Sequence, residues 1–183
     1  MVSIRRIFQF LTLLLMAEVR RLATGWGADP RKLVLMGHSA GAHLVALLSA
    51  DPALATAQGA RPWLGTLVLD REALDTEGLM QRRHLPFYDR AFGADPALWR
   101  SVSPTARLAP GRLPMLLVCS SERRDVSCGQ STQFARRVQA AGGHAQVLAQ
   151  QLSHAEVNAK LGVAGGHTQE VDRFIDGVIA GGR

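Results

Sequence analysis

A serine flanked by glycines stands directly after an apolar run and directly before a helix-like stretch: Gly37-His38-Ser39-Ala40-Gly41. A strand, a G-x-S-x-G turn and a helix hold a serine hydroxyl out from the end of a sheet, where it can act as a nucleophile. The residue after the serine begins the helix, and unpaired N–H groups there favour negative charge. The two glycines are expected to be needed because the turn leaves no room for side chains.

A serine hydroxyl needs a base, usually a histidine that is oriented by a carboxylate. In a parallel sheet these partners come from the loops that follow later strands, because such loops meet at one edge. His154 is the histidine that lies in the loop directly after the last predicted strand, so we expect it to be the base for Ser39. Asp125, in the loop after the preceding strand, is the expected acid. Glu122 in the same loop and Asp70, at the end of the strand before, are the alternatives.

The other five histidines have less suitable positions in the sequence. His38 belongs to the turn itself and is expected to pack beside the site. His43 lies on the following helix, where a core or surface role is expected. His84 falls in a predicted insertion, His144 precedes a strand, and His167 lies on a glycine-rich turn.

The two cysteines, Cys119 and Cys128, offer neither a disulfide framework nor the C-x-x-C spacing of a metal site. Cys119 lies in an apolar run and is expected to be a buried thiol. The serine chemistry described above needs no metal or organic cofactor, and none is expected.

Apolar runs and breakers alternate as in an α/β protein with a parallel sheet between helices. The chain of 183 residues is long enough for one core, so a single domain spanning 1–183 is expected. Residues 71–112 contain four of the eight prolines and are expected to form a helical insertion. Strands are predicted at 32–36, 63–70, 115–119 and 145–149, and helices at about 7–23, 40–49, 127–141 and 169–179.

The formal net charge of +6 comes almost wholly from arginine. The arginines are scattered as pairs rather than gathered in a stripe with aromatic residues, which argues against nucleic-acid binding. The N-terminal Arg5-Arg6 followed by apolar Ile7–Met16 resembles a signal peptide, but a helix ending near Gly25 is the favoured interpretation. A cytoplasmic protein is therefore favoured over a secreted one, with no firm membrane association.

Three segments give the chain a resemblance to the α/β-hydrolase superfamily. They are Gly37–Leu44 (GHSAGAHL), Trp26–Lys32 (WGADPRK), and Ser101–Pro104 (SVSP) before the strand around 115. The likeness is to small esterases grouped with carboxylesterases, feruloyl-esterase-like proteins and kynurenine formamidases. It spans most of residues 17–180. It implies a three-layer sandwich, an acyl-enzyme mechanism with Ser39, Asp125 and His154, and a small ester or amide substrate.

In that family several strands precede the nucleophile, and a His-Gly-Gly loop among them supplies part of the oxyanion hole. Here only 38 residues precede Ser39, and Gly142-Gly143-His144 and Gly165-Gly166-His167 come too late to replace that loop. The sequence therefore resembles the C-terminal part of such a hydrolase, with the Ala40 N–H as one oxyanion donor. An exposed sheet edge and self-association are expected. A catalytically impaired fragment that folds or binds with a partner, an aryl-formamidase and a thioesterase are the alternative functions.

Overall fold

The computed structural model describes residues 15–70, 73–111, 113–123 and 127–182. Most of the apolar N-terminal segment Ile7–Met16 lies outside the described residues, and so does Asp125. Helix α1 occupies 15–23 of the described part, as the helical interpretation of the N-terminus predicts for those positions. Its Met16 is buried in the main core.

Four parallel strands form one sheet in the order β1-β2-β3-β4. Each predicted strand is present with shifted ends, because the hydrogen-bonded ladder rather than the apolar run decides where a strand begins and ends. The first strand is displaced towards the C-terminus, the second is shorter than predicted, and the last two are longer. The parallel α/β architecture expected from the sequence is thus confirmed. The strands are β1 (Val34–His38), β2 (Gly65–Leu69), β3 (Pro114–Ser120) and β4 (His144–Gln150).

Helices connect the strands, as a parallel sheet requires. Short α3 and α8 were not predicted, since helices of four and six residues leave little periodicity to detect. The region 71–112 contains three short helices, α4 to α6. After α1 and a 3₁₀ turn at Thr24–Trp26, the helices are α2 (Ala40–Ala50), α3 (Ala53–Thr56), α4 (Thr76–Met80), α5 (Pro86–Phe92), α6 (Pro96–Ser101), α7 (Ser127–Ala140), α8 (His154–Ala159) and α9 (Gly166–Gly181).

Side chains of the strands alternate between two apolar layers because successive residues of a strand point to opposite faces. On one face, strand residues pack against α2 and α7; on the other, they pack against α8 and α9. The first layer includes Leu35, Val68, Leu117, Ala46 and Phe134; the second includes Leu67, Leu116, Val118, Val157 and Val171.

Over the described part of the chain, no helix has the length and apolarity needed to cross a membrane.

Strand β1 lies at one edge of the described sheet and pairs with β2 alone there. Met36 in the middle of this strand is 43% exposed. A parallel strand with unpaired backbone groups and an exposed apolar side chain favours pairing with another chain.

We predict that the protein self-associates through β1 and that Met36→Lys shifts it towards monomer, since an edge lysine opposes strand pairing. Analytical ultracentrifugation over a concentration series would measure this. Val163→Lys, which adds the same charge at another exposed apolar residue, is the control and should leave association unchanged. A parent protein that stays monomeric over the whole series would contradict the prediction.

Candidate active site

Ser39 has an unusual backbone conformation at the junction of β1 and α2. Its φ of 54° and ψ of −117° lie where a residue with a side chain is rarely found. The surrounding structure holds it there: its N–H donates to the Leu69 carbonyl at 3.1 Å, and its own carbonyl accepts from the His43 N–H at 3.2 Å. Ser39 thus ends the β1–β2 ladder and begins the helix. Such strain is common at functional sites.

The two glycines that flank the turn differ in the space around them. A Cβ on Gly37 would lie 2.3 Å from the Gly41 carbonyl oxygen, so β1 and the first turn of α2 can meet only at a glycine. A Cβ on Gly41 would meet no described atom within 4 Å. The expectation that the turn needs glycine for space is therefore met at Gly37 and not at Gly41.

His154 and Asp70 form a hydrogen-bonded pair beside this turn. Asp70 directly follows β2, His154 begins α8 after β4, and the His154 Nδ1 lies 2.7 Å from the Asp70 Oδ2. A carboxylate only accepts, so Nδ1 carries the proton and Nε2 is the nitrogen with a free lone pair. The Asp70 carboxylate is fully buried, whereas the His154 side chain is 40% exposed. The buried Asp70 carboxylate therefore holds an imidazole whose Nε2 can accept a proton.

The buried Asp70 carboxylate is fully hydrogen-bonded. Burial raises the pKa of this carboxyl, but hydrogen bonds outweigh burial and lower the pKa from 3.8 to about 2. The negative charge therefore stabilises the fold above about pH 4, and this contribution is lost as the pH falls towards 2. The donors are the Ser120 N–H at 2.7 Å, the Ser127 hydroxyl at 2.7 Å, Arg123 Nη1 at 2.9 Å and His154.

The acid that the sequence favoured, Asp125, lies outside the described residues. Glu122, the alternative in the same loop, is exposed. Among the carboxylates that the structure describes, Asp70 is the one that contacts His154. A signal for it was present in the sequence, because Asp70 is a charged residue that directly ends a continuous apolar strand.

Arg123 also contacts this pair. Its Nη1 lies 2.9 Å from the Asp70 Oδ2 and 3.0 Å from the His154 Nδ1. Two N–H donors cannot bond to one another, so the imidazole and the guanidinium share the carboxylate oxygen. Arg123 thereby helps to keep Asp70 ionised.

Cys119 and Cys128 form a disulfide, with Cα atoms 5.1 Å apart. The expectation of a buried free thiol at Cys119 is wrong: the end of β3 and the first turn of α7 come together closely enough for the two sulfurs to bond. The nine-residue separation gave no indication of this, since it depends on the path of the loop. The bond closes the loop that brings Ser120, Arg123 and Ser127 to Asp70.

The remaining histidines lie largely where the sequence suggested. His38 packs beside the site, against the ring of His154 at a centroid distance of 4.5 Å. His43 is buried next to Phe92, and His144 starts β4 at the opposite end of the strand from the site. His167 is buried in α9 and donates to the Val157 carbonyl. His84, in the 71–112 region, pairs with Asp89.

A cavity of about 620 Å³ lies at the other end of the sheet. It is lined by Pro114 and His144, the first residues of β3 and β4, and by residues of α9 such as Phe174. Functional groups of a parallel sheet gather at the carboxyl ends of its strands, where Ser39, Asp70 and His154 lie. The cavity is therefore separate from the candidate site.

No group of three or more His, Cys, Asp or Glu side chains in the described part of the chain could hold a metal ion.

The chain shares its fold with solved esterases. It resembles the acetyl ester-xyloside bifunctional hydrolase of Caldicellulosiruptor lactoaceticus with a TM-score of 0.70 at 16% identity, covering 93% of this chain and 65% of that one. Thermogutta terrifontis esterase 2 matches in its tabun-phosphoramylated form (TM-score 0.66, 21% identity, 91% and 62% covered). Its butyrate-bound form also matches (TM-score 0.63, 21% identity, 91% and 63% covered).

These matches identify the architecture as part of an α/β-hydrolase fold. The chain spans less than two thirds of the length of these relatives. No protein-family model matches the sequence, and the search of curated proteins found no match either. At about 20% identity the likeness shows the fold alone, so any function must be argued from the site itself.

We predict that Gly37→Ala lowers the stability of the fold by about 2 kcal/mol or more, because the added methyl group meets backbone that cannot move aside. Thermal unfolding followed by circular dichroism would measure the loss. Gly41→Ala is the matched control, and we expect it to be neutral or stabilising by up to about 1 kcal/mol, as alanine is the better helix former. Equal effects of the two substitutions would contradict this account of the turn.

Proposed function

We propose that the protein is a serine hydrolase that cleaves small carboxylic esters through an acyl-enzyme intermediate. The observation that supports this most directly is the pairing of Asp70 with His154 beside the strained turn at Ser39. A nucleophile after β1, an orienting carboxylate after β2 and a base after β4 are the parts that this chemistry needs.

In this mechanism the His154 Nε2 takes the proton of the Ser39 hydroxyl as Oγ attacks the ester carbonyl carbon. The tetrahedral intermediate collapses when the leaving alcohol receives that proton from His154. Water, activated by the same nitrogen, then hydrolyses the acyl group from Ser39 and restores the enzyme. The backbone N–H of Ala40, exposed at the first position of α2, is one donor for the negatively charged oxygen of the intermediate.

Asp70 is the proposed orienting carboxylate in this scheme. It fixes the tautomer in which Nε2 is the base, and its charge stabilises the imidazolium that forms during the reaction. Its low pKa keeps it ionised at any pH at which a histidine base is active. Asp125, the acid favoured by sequence reasoning, would have to replace a contact that Asp70 already makes.

The substrate class is inferred by analogy with the structural relatives. Thermogutta terrifontis esterase 2 has been solved with butyrate and with propionate bound, and in a form phosphoramylated by tabun. We therefore propose short-chain acyl esters as substrates, and we expect organophosphorus reagents to react with Ser39.

We predict that a fluorophosphonate probe labels the protein and that Ser39→Ala abolishes the labelling, because Oγ is the reacting atom. Hydrolysis of p-nitrophenyl butyrate should fall by a factor on the order of 10⁴ or more in the same variant. Ser121→Ala, at an exposed serine in a neighbouring loop, is the control and should label like the parent. Equal labelling of Ser39→Ala and the parent would reject the nucleophile, and an unlabelled parent would favour a catalytically impaired protein.

We also predict that Asp70→Asn lowers kcat by a factor on the order of 10³ to 10⁴, since the amide no longer holds the base tautomer of His154. Asp125→Asn should lower it much less. Steady-state kinetics of both variants, with thermal unfolding to confirm that each is folded, would decide between the two carboxylates. The opposite ranking would assign the acid to Asp125.

A further inference from the structure

His38 makes two contacts with His154 that the proposed mechanism does not use. Its Nε2 lies 2.8 Å from the backbone carbonyl oxygen of His154, to which it donates. Its ring also packs on the His154 ring, with centroids 4.5 Å apart and planes inclined by 35°. One side chain therefore holds both the backbone and the imidazole of the same residue.

The position of His38 in β1 explains how it reaches α8. Alternation along the strand puts Val34 and His38 on the same face, and Val34 packs in the layer that contains Val157 of α8. His38 is the last residue of the strand, directly before Ser39. The residue that precedes the candidate nucleophile thus touches the candidate base.

The element that carries His154 is short. Helix α8 has six residues, and a capping box between Ser153 and Glu156 fixes its first turn. His154 is the first residue of this helix, and its side chain is 40% exposed. A partly exposed side chain on a short helix has few packing neighbours, so its position relative to Ser39 depends on specific contacts.

We propose that His38 is a positioning residue, which holds His154 in register with Ser39 through the carbonyl hydrogen bond and the ring contact. This inference rests on the proposed serine-hydrolase function. Asp70 fixes Nδ1 from one side and His38 fixes the backbone and the ring from the strand that ends at the nucleophile. The ends of the neighbouring strands β1 and β2 thus carry the two residues that set the orientation of the His154 ring, and with it the position of Nε2.

The physical effect is on orientation rather than on substrate binding. An error of about 1 Å in the placement of a reacting group can cost about a hundredfold in rate. Loss of the His38 contacts should therefore lower kcat and leave KM nearly unchanged. A residue that merely filled space would change stability and affect kcat only through the folded fraction.

Three substitutions separate the two contacts. His38→Leu removes both, His38→Gln keeps an N–H donor at the position of Nε2 without the ring, and His38→Phe keeps the ring without the donor. We expect His38→Leu to lower kcat about 10- to 100-fold, with KM within about twofold of the parent. His38→Gln and His38→Phe should each recover part of the loss. His144→Leu, the same change at the far end of β4, is the matched control and should behave like the parent.

A second measurement does not depend on turnover. A proton held between an imidazole nitrogen and a carboxylate gives a far-downfield NMR resonance, which Asp70→Asn should remove and so assign. His38→Leu should shift or broaden this resonance at temperatures where thermal unfolding shows the variant to be folded, and His144→Leu should not. If the parent neither reacts with the fluorophosphonate nor hydrolyses esters, the proposed function fails. The NMR measurement still tests whether His38 positions His154, because it does not require turnover. Parental kcat and an unchanged resonance in folded His38→Leu would overturn the proposal.

Discussion

A fully buried carboxylate organises this end of the molecule. Removing the Asp70 charge from water is costly unless hydrogen bonds replace its hydration, and here β3, α7 and α8 supply them together with Arg123. Three of the donors belong to the segment 120–127 and the fourth is His154, so satisfying this one side chain requires two distant parts of the chain to meet at the end of β2. The disulfide between Cys119 and Cys128 closes the loop that supplies most of the donors.

The turn at Ser39 depends on a different constraint, the absence of a side chain at Gly37. The close approach of this residue to the Gly41 carbonyl lets the helix begin immediately after the strand. The ladder bond to Leu69 then holds the strained serine in place. Leu69 and Asp70 are consecutive residues at the end of β2. The backbone of Leu69 therefore holds the candidate nucleophile Ser39, and the side chain of Asp70 holds the candidate base His154. The two halves of the site are therefore joined by backbone as well as by side chains.

Sequence reasoning reached the sheet and the loops of the site because these follow from local patterns. Buried parallel strands appear as continuous apolar runs, and the loops that follow them gather at one edge of the sheet, where we expect Ser39 and His154. It favoured Asp125 over Glu122 and Asp70, but membership of a loop does not say which carboxylate turns inward. The disulfide and the six-residue helix α8 were missed for a related reason: both depend on the tertiary path of short segments.

The contact of His38 with His154 shows where the missing information lay. In the G-x-S-x-G pattern the second residue is unspecified, and sequence alone gives its side chain no partner. In the fold, that residue is the last of β1, and the alternation of the strand turns it towards the face that α8 covers. A histidine there can donate to a helix carbonyl and contact an imidazole at once. A position that the pattern leaves free is therefore constrained by this chain's own topology, and a relative in which another helix covers β1 need not keep a histidine there.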